Sequence, residues 1–212
     1  FLPPQRIFVV HHGVDTDFFH PAAEVNETPV CLTVGSHLRD FETLSQAIRI
    51  IWASNPQMRF IAVGTRSDKK SYFPELDDAR IQFLDRINDD ELRRAYQRAN
   101  IAIFAFKEAT ANNAMVEAMA SGLPVVATNT GGIGEYITDG AGFLCPPRDP
   151  HALAAATLRL LDDADLRGAM SCASRARALQ LDFRLVAAKM CEIYSELLMP
   201  MKNDVQIGNV RS

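Results

Sequence analysis

The chain has 212 residues, of which 48% are hydrophobic and 23% are charged, and its formal net charge is −4 at pH 7. This length allows one large domain or two small ones with a sizeable core, and the composition is ordinary for a soluble globular protein. The negative balance argues against a nucleic-acid-binding protein, which would normally carry a basic stripe. The apolar runs fall short of the roughly 18 residues of a membrane-spanning helix.

Short apolar runs alternate with longer amphipathic stretches along the amino-terminal half. In chain order they predict strands over 7–10 and 30–34, a helix over 41–53, a strand over 59–63, an irregular polar stretch over 65–80, a strand over 81–84 and a helix over 89–98. Asn88 or Asp89 is suited to cap that helix, and the acidic residues of its first turn complement the helix dipole.

The carboxyl-terminal half continues this alternation and then consists of helices. It predicts a buried strand over 101–106, a helix over 112–121 that ends at Gly122, strands over 124–127 and 142–145, and helices over 150–161, 164–178 and 183–198. The last helix has apolar residues three or four apart, so it must cover a core or contact a partner domain.

Repeated alternation of strand and helix predicts an α/β fold with a doubly wound, Rossmann-like parallel sheet flanked by helices. We predict a linker with a remnant first strand over 1–25, the Rossmann-like domain over 26–182, a closing helix over 183–200 and a flexible tail over 201–212. Because the sequence begins with Phe1 rather than Met, we expect it to be part of a longer protein.

Cysteines and histidines, the usual protein ligands of zinc, are scattered in this sequence. No Cys-x-x-Cys pair occurs, so we expect free thiols in a reducing compartment rather than a disulfide framework or a zinc site. The adjacent His11 and His12 should point to opposite sides of an extended segment, and we predict no metal site. The cysteines are Cys31, Cys145, Cys172 and Cys191.

The loop before the helix at 112–121 has features of an anion site. Ligands of doubly wound sheets bind outside the carboxyl ends of the strands, where this loop lies. The free backbone N–H groups from Asn113 to Met115 can hold an anion at the positive end of the helix dipole. Glu117, one turn further on, would repel a phosphate but could accept from neutral hydroxyls such as a ribose diol; an ordinary helical glutamate is the alternative.

Two further loops follow neighbouring strands and have complementary features. Gly131 and Gly132 allow close backbone approach and could form an anion nest, or else a plain turn. Gly35 also allows close approach, and Arg39 could reach the same point with a bidentate fork, or else lie in solvent. His37 could donate a hydrogen bond there. Anion-binding loops after neighbouring strands point to one diphosphate.

Three segments together resemble the carboxyl-terminal, donor-binding domain of retaining glycosyltransferases of the family 4 type, which have the GT-B fold. Residues 12–19 are similar to the family's Asn-Gly-Val-Asp segment, with His12 in place of the asparagine. The most specific segment is 117–128 followed by Gly131 and Gly132. Tyr194 with Leu197 and Leu198 resembles the closing helix.

The resemblance implies a role for each matching residue. Glu117 would bind the donor ribose, Arg39 would neutralise the departing diphosphate, and the segment around Arg86 and Ile87 would face the nucleotide base. Arg39 and Glu108 are the implied catalytic residues. The implied donor-binding set is Gly35, Ser36, Arg39, Arg86, Ile87, Asn112, Asn113, Ala114, Met115, Glu117, Gly131 and Gly132.

Two departures from the family pattern affect this site. The family has an acidic residue eight positions before the ribose-binding glutamate; that position is Ala109 here, and a bulge would be needed for Glu108 to replace it. The family also has an arginine directly after the strand-end glycine, where this chain has Ser36. Because both departures lie in the donor site, they leave open which sugar is bound and how strong the catalysis is.

The resemblance implies a hexosyltransferase that uses a UDP- or GDP-sugar, with retention, to build a polysaccharide or glycoconjugate. It implies no cofactor beyond this nucleotide-sugar substrate, no nucleic-acid partner, and an acceptor sugar or lipid bound by a missing amino-terminal GT-B domain. We expect the chain alone to be inactive, and a cytoplasmic location, with the inner membrane face as an option through that domain.

Two alternatives to a glycosyltransferase remain: a nucleotide-sugar 2-epimerase-like enzyme and a degenerate, non-catalytic nucleotide-binding domain. A dinucleotide-dependent oxidoreductase is disfavoured because no Gly-x-Gly-x-x-Gly follows the first strand.

Overall fold

Six parallel strands form a single sheet in the computed structural model, which describes residues 6–23, 28–64, 78–138 and 140–198. Their spatial order is β3-β2-β1-β4-β5-β6, and every pairing is parallel. The order reverses between β1 and β4, so the loops after these two strands open onto one crevice. The strands are β1 (Val30–Val34), β2 (Arg59–Val63), β3 (Ile81–Leu84), β4 (Ile101–Phe104), β5 (Val125–Thr128) and β6 (Gly142–Cys145).

Seven helices of the described residues flank or follow this sheet, and the predicted doubly wound fold is confirmed. Alternate residues of β1 face opposite sides: Leu32 belongs to one apolar cluster and Cys31 to the other. The helices are α1 (Phe41–Ser54), α2 (Asp89–Gln97), α3 (Asn113–Ala120), α4 (Ile133–Tyr136), α5 (Pro150–Asp162), α6 (Ala164–Gln180) and α7 (Phe183–Leu198). None of these described helices is both long and apolar enough to cross a membrane.

Side-chain caps explain where most of the helices begin. Asn88 and Glu91 form a reciprocal capping box at α2. In four other helices an Asp or Asn oxygen accepts the N–H of the third helical residue, which satisfies a donor that has no partner in the helix itself. These capping residues are Asp40 at α1, Asn112 at α3, Asp149 at α5 and Asp163 at α6.

The predicted strand over 7–10 is wrong. These residues have no strand partner in the described part of the chain, and Ile7 and Val9 are 61% and 74% exposed. Apolar and β-branched residues favour a strand, but a strand forms only beside a neighbour that accepts its hydrogen bonds. Residues 65–77 of the predicted polar stretch, 199–200 of the predicted closing helix and the predicted tail lie outside the described residues.

The segment that contains Val14 is attached to the body of the fold beside the start of α7. The Val14 N–H donates to the Leu181 carbonyl at 2.9 Å, and the Phe183 N–H donates to the Val14 carbonyl at 3.0 Å. Thr16 donates from Oγ1 to the buried Asp182 carboxylate at 2.5 Å. Residues 14–19 are therefore part of the folded unit.

Helix α7 presents most of its apolar side chains to solvent. Ile193 is the buried residue of this helix, whereas Leu185 and Tyr194 are 56% and 57% exposed. The predicted amphipathic pattern is present, but the described residues do not cover it. The other large apolar side chains of the helix that are exposed are Phe183, Met190, Leu197 and Leu198.

Candidate functional site

An open cavity of about 450 Å³ lies where the chain leaves the central strands β1, β2 and β4. It brings together six residues of the predicted site, which come from two loops far apart in sequence. Its lining includes two imidazoles and one guanidinium but no carboxylate. The lining residues are His12, Gly35, Ser36, His37, Arg39, Gly64, Ala111, Asn112, Asn113 and Ala114.

Two glycines give the cavity its floor. Gly35 and Gly64 directly follow β1 and β2 with φ values of +86° and +69°, a region that side chains with a Cβ rarely adopt. Their N–H groups extend the sheet pattern, donating to the carbonyls of Val63 and Leu84 at 2.9 Å. A Cβ at Gly35 would lie 3.1 Å from Arg39 Nη2, so this glycine leaves space for the guanidinium.

Arg39 is buried at the cavity wall, with 6% of its surface exposed. Nη2 donates to the Val34 carbonyl at 2.7 Å and to Asn112 Oδ1 at 3.3 Å. The guanidinium carbon lies 4.5 Å from the centroid of the Phe106 ring, a cation–π contact. This burial excludes the alternative of an arginine that lies in solvent.

In the described part of the chain no carboxylate balances the charge of Arg39. Among the described residues no acidic side chain forms an ion pair with it, and its buried Nε has no hydrogen-bond acceptor. Burial lowers the pKa of Arg39 to about 10, so the guanidinium remains cationic at neutral pH. A buried cation held only by carbonyls, an amide and a ring is suited to receive an anion.

The amino terminus of α3 faces the same cavity. The Asn112 side chain caps the helix, with Oδ1 accepting the Met115 N–H at 3.0 Å. The prediction that Met115 offers a free N–H is therefore wrong, because the cap already uses that donor. The N–H groups of Asn113 and Ala114 have no acceptor among the described residues, and these two remain available.

His12 lies beside this helix start. Its Nδ1 is 2.8 Å from Asn113 Oδ1, and its backbone N–H donates to the Tyr136 hydroxyl at 3.0 Å. His11, the adjacent residue, lies instead against Glu135, with 3.3 Å between Nε2 and Oε2. The linker segment thereby forms one edge of the cavity.

Glu117 lies one turn into α3 and is half-buried. Its Oε2 accepts from the Tyr96 hydroxyl at 2.8 Å. Burial raises the pKa of the Glu117 carboxyl, the hydrogen bond from Tyr96 partly opposes this, and the charge of Asp89 adds to it. Glu117 does not line the cavity itself, but it follows the lining residue Ala114 by about one helical turn.

The glycine pair after β5 packs backbone against backbone. The Gly132 N–H donates to the Ala109 carbonyl at 3.0 Å, so it is not the free anion donor that a nest would require. A Cβ at Gly131, whose φ is +54°, would overlap the Ala109 carbonyl oxygen, and one at Gly132 would overlap that of Thr110. These glycines hold the loop before α3 in place.

Besides Met115, Glu117, Gly131 and Gly132, three more predicted residues lie outside the cavity lining. Glu108 is exposed, and the adjacent Ala109 is buried beneath Gly131. Arg86 is exposed with a φ of +53°, and Ile87 packs against the apolar cluster on its side of the sheet. The structure therefore does not bring Glu108, Arg86 or Ile87 together with Arg39.

Three contributors to this site were missed from the sequence. Gly64 was read only as the end of a strand, although a glycine after a central strand matches the signal that identified Gly35. Phe106 was read as a buried strand residue, yet it pairs with Arg39 in an isolated bridge and stacks on its guanidinium. Tyr96 was read as part of an amphipathic helix, and nothing in the local sequence indicates its contact with Glu117.

The fold and the cavity together define the class of protein. A doubly wound sheet with a buried cation and a helix amino terminus at its switch point is an arrangement typical of α/β proteins that bind nucleotides. The profile of the Glycosyl transferases group 1 family matches residues 28–163, and the chain belongs to that family.

Known proteins resemble this chain in sequence or in fold. The D-inositol 3-phosphate glycosyltransferase of Thermobispora bispora is 27% identical, over 97% of this chain and 54% of its own length. The sucrose-phosphate synthase of Thermosynechococcus elongatus is 26% identical, with a TM-score of 0.75 over 88% of this chain and 51% of that one. HepE of Anabaena, solved with UDP-glucose, is 21% identical, with a TM-score of 0.76 over 89% and 57%. The fold is that of GT-B glycosyltransferases, and the chain spans about half the length of the curated relatives it matches.

Proposed function

We propose that this chain binds a UDP- or GDP-sugar as the donor domain of a retaining glycosyltransferase that builds a polysaccharide or glycoconjugate. One observation carries the proposal: the buried Arg39 guanidinium, without a carboxylate partner in the described structure, lines the same cavity as the free N–H groups of Asn113 and Ala114. A diphosphate supplies the negative charge that this arrangement lacks.

The elements around the cavity fit the parts of such a donor. The distal phosphate would receive the two free N–H groups and the dipole of α3. Arg39 would contact the bridging region, and its packing on Gly35 and Phe106 fixes its position before the ligand arrives. Glu117, one turn further along α3, would accept from the ribose hydroxyls.

Arg39 would act on the leaving group during transfer. Negative charge grows on the diphosphate as its bond to the sugar breaks, and a fixed cation in a site screened from water stabilises that charge without reorganising. Arg39 is buried and donates to three acceptors of the protein, so its guanidinium is already held in position. The relatives named as glycosyltransferases and the UDP-glucose complex of HepE support the same reaction class.

A second domain would complete the enzyme. The matched relatives are about twice as long as the matched region, and the exposed apolar face of α7 lies beside the linker residues around Gly13, whose backbone packs on Phe183. We place the amino-terminal domain and the acceptor on that side. The chain alone then binds donor without transferring it, and a cytoplasmic location suits its four free thiols.

Calorimetric titration of the chain with UDP and GDP tests the proposal. We expect one of the two to bind, and Arg39→Ala to weaken that binding by about 10- to 100-fold, because a hydrogen-bonded charge pair is lost. Arg39→Lys should recover part of the affinity, since it keeps the charge but not the fork. Arg148→Ala, an exposed arginine after β6 that does not line the cavity, is the matched control. Absence of binding to both nucleotides, or equal affinity in Arg39→Ala, contradicts the proposal.

A further inference from the structure

Tyr96 connects two helices at the edge of the donor site. It lies on α2, its side chain is fully buried, and its hydroxyl is 2.8 Å from Glu117 Oε2 and 3.0 Å from the Ala114 carbonyl oxygen of α3. Its ring contacts Phe19 edge to face, with 5.7 Å between centroids. Full burial and the contact with Phe19 therefore hold the ring, and with it the hydroxyl, in place.

The hydroxyl can satisfy only one of its two acceptors at a time, because a phenol carries a single hydrogen. A carboxylate accepts a stronger hydrogen bond than a carbonyl does, so Glu117 is the favoured partner. The Ala114 carbonyl, 3.0 Å away, restricts the positions that the Tyr96 hydroxyl oxygen can occupy. Tyr96 thus fixes the carboxylate of Glu117 relative to the first turn of α3.

The two carboxylate oxygens of Glu117 have different surroundings. Oε2 is held by Tyr96, whereas Oε1 has no hydrogen-bond partner among the described residues and is not among their buried, unsatisfied atoms. One oxygen is therefore anchored and the other is open to a ligand. An unanchored glutamate would lose side-chain entropy on binding, and the anchored one has already lost it.

We propose that Tyr96 is a positioning residue that presents the free oxygen of Glu117 to the ribose diol, so that the site selects ribonucleotides over deoxyribonucleotides. The inference rests on the proposed function, because it requires a nucleotide in the cavity. The inference adds to the proposed function a residue, Tyr96, that would not contact the ligand itself. It also adds a preference for ribonucleotides, which the residues that line the cavity do not explain.

Titrations with UDP and with 2′,3′-dideoxy-UDP test this role, or with the guanosine pair if GDP is the tighter ligand. We expect the chain to prefer the ribose form by about tenfold, which corresponds to one hydrogen bond to a charged group at the low end of the usual range. In Tyr96→Phe the preference should fall to about twofold or less, with the affinity for the dideoxy form unchanged. Glu117→Gln should reduce the preference in the same direction, and Tyr194→Phe, an exposed tyrosine of α7, is the matched control.

The possible results separate the two proposals. Equal weakening of both nucleotides in Tyr96→Phe would assign Tyr96 a purely structural role and overturn the inference. Equal affinity of the unmodified chain for both nucleotides would overturn it as well, while leaving the donor site intact. Failure of the unmodified chain to bind either form would instead overturn the proposed function on which the inference rests.

Discussion

The carboxyl group of Glu117 is placed where it reduces the stability of the fold. Burial disfavours its ionised form and is the main reason that its pKa is raised; the hydrogen bond from Tyr96 only partly compensates. A helix position beside an apolar core would be more stable with a neutral side chain. Retaining a carboxylate there is typical of a residue that binds a ligand rather than one that supports the fold.

Glu117→Gln should therefore stabilise the chain at pH 8. A raised folded-state pKa means that the ionised form is penalised on folding, so the gain is full above that pKa and vanishes below the unfolded value of about 4.3, where the carboxyl is protonated in both states. Glutamine also keeps an oxygen to accept from Tyr96. Urea unfolding at pH 8 and pH 4 measures the difference, with the exposed Glu196→Gln of α7 as control. A loss of stability at pH 8 would show that the carboxylate supports the fold.

Individual site residues were predictable where local sequence determines their role. Arg39 and Asn112 follow predicted strands, and their position in the chain was enough to place both at the crevice. Tyr96 is separated from Glu117 by 21 residues, and only the packing of α2 against α3 brings the two together. The same reason explains why Gly132 was assigned a free N–H that the tertiary contact with Ala109 occupies.

At the level of elements, the loop between β5 and α4 supports the loop before α3. The support consists of one hydrogen bond and of two contacts so close that no Cβ fits. Because the second loop carries the free N–H groups of Asn113 and Ala114, the geometry of the anion site depends on glycines that need not touch the anion.

Gly131→Ala should destabilise the chain by about 3 kcal/mol or more, since it combines left-handed backbone strain with overlap on the Ala109 carbonyl. Gly140→Ala separates the two causes: Gly140 has a φ of +80° but no atom within 4 Å of an added Cβ, so its cost should be only about 1–2 kcal/mol. Urea unfolding of both variants measures the difference between their free energies of unfolding. Equal costs would show that the loop moves aside and that the close packing carries no energy.

Strands and helices with clear boundaries were predicted closely. The strands at 59–63, 81–84 and 142–145 have the predicted bounds, because their apolar runs stop at a glycine, a proline or a polar residue. The helix that begins at Phe183 starts where it was predicted. The strand over 7–10 failed because its composition favours β-structure while no described strand pairs with it. Strand β4 ends at Phe104 rather than 106, where Arg39 pairs with Phe106 in an isolated bridge.

At the scale of the whole molecule, Arg175 ties the entering segment to the body of the fold. Its guanidinium donates to three carbonyls: those of Thr16 and Phe19 in the entering segment and that of Ala120 at the end of α3. The distances are 3.0, 2.9 and 2.6 Å. One side chain of α6 thus joins parts of the chain more than a hundred residues apart.

Arg175→Ala should lower the free energy of unfolding by on the order of 1–3 kcal/mol, because carbonyls that are now paired would lose a charged donor. Lys189→Ala is the control, since its amino group lies 3.5 Å from Glu192 on the exposed surface of α7 and a surface pair contributes little. Thermal and urea unfolding both report the change. Equal stability of the two variants would mean that water replaces Arg175 at no cost.

The hydrogen bonds around Val14 have a mechanical consequence. The segment from Val14 to Asp182 contains every strand of the described sheet, and its first and last residues are bridged side by side. A folded unit whose first and last residues lie side by side can be inserted into a surface loop of another protein without stretching either end. A force that pulls these two residues apart would act first on the hydrogen bonds that join Val14 to Leu181 and Phe183, before it reached the sheet that holds the cavity.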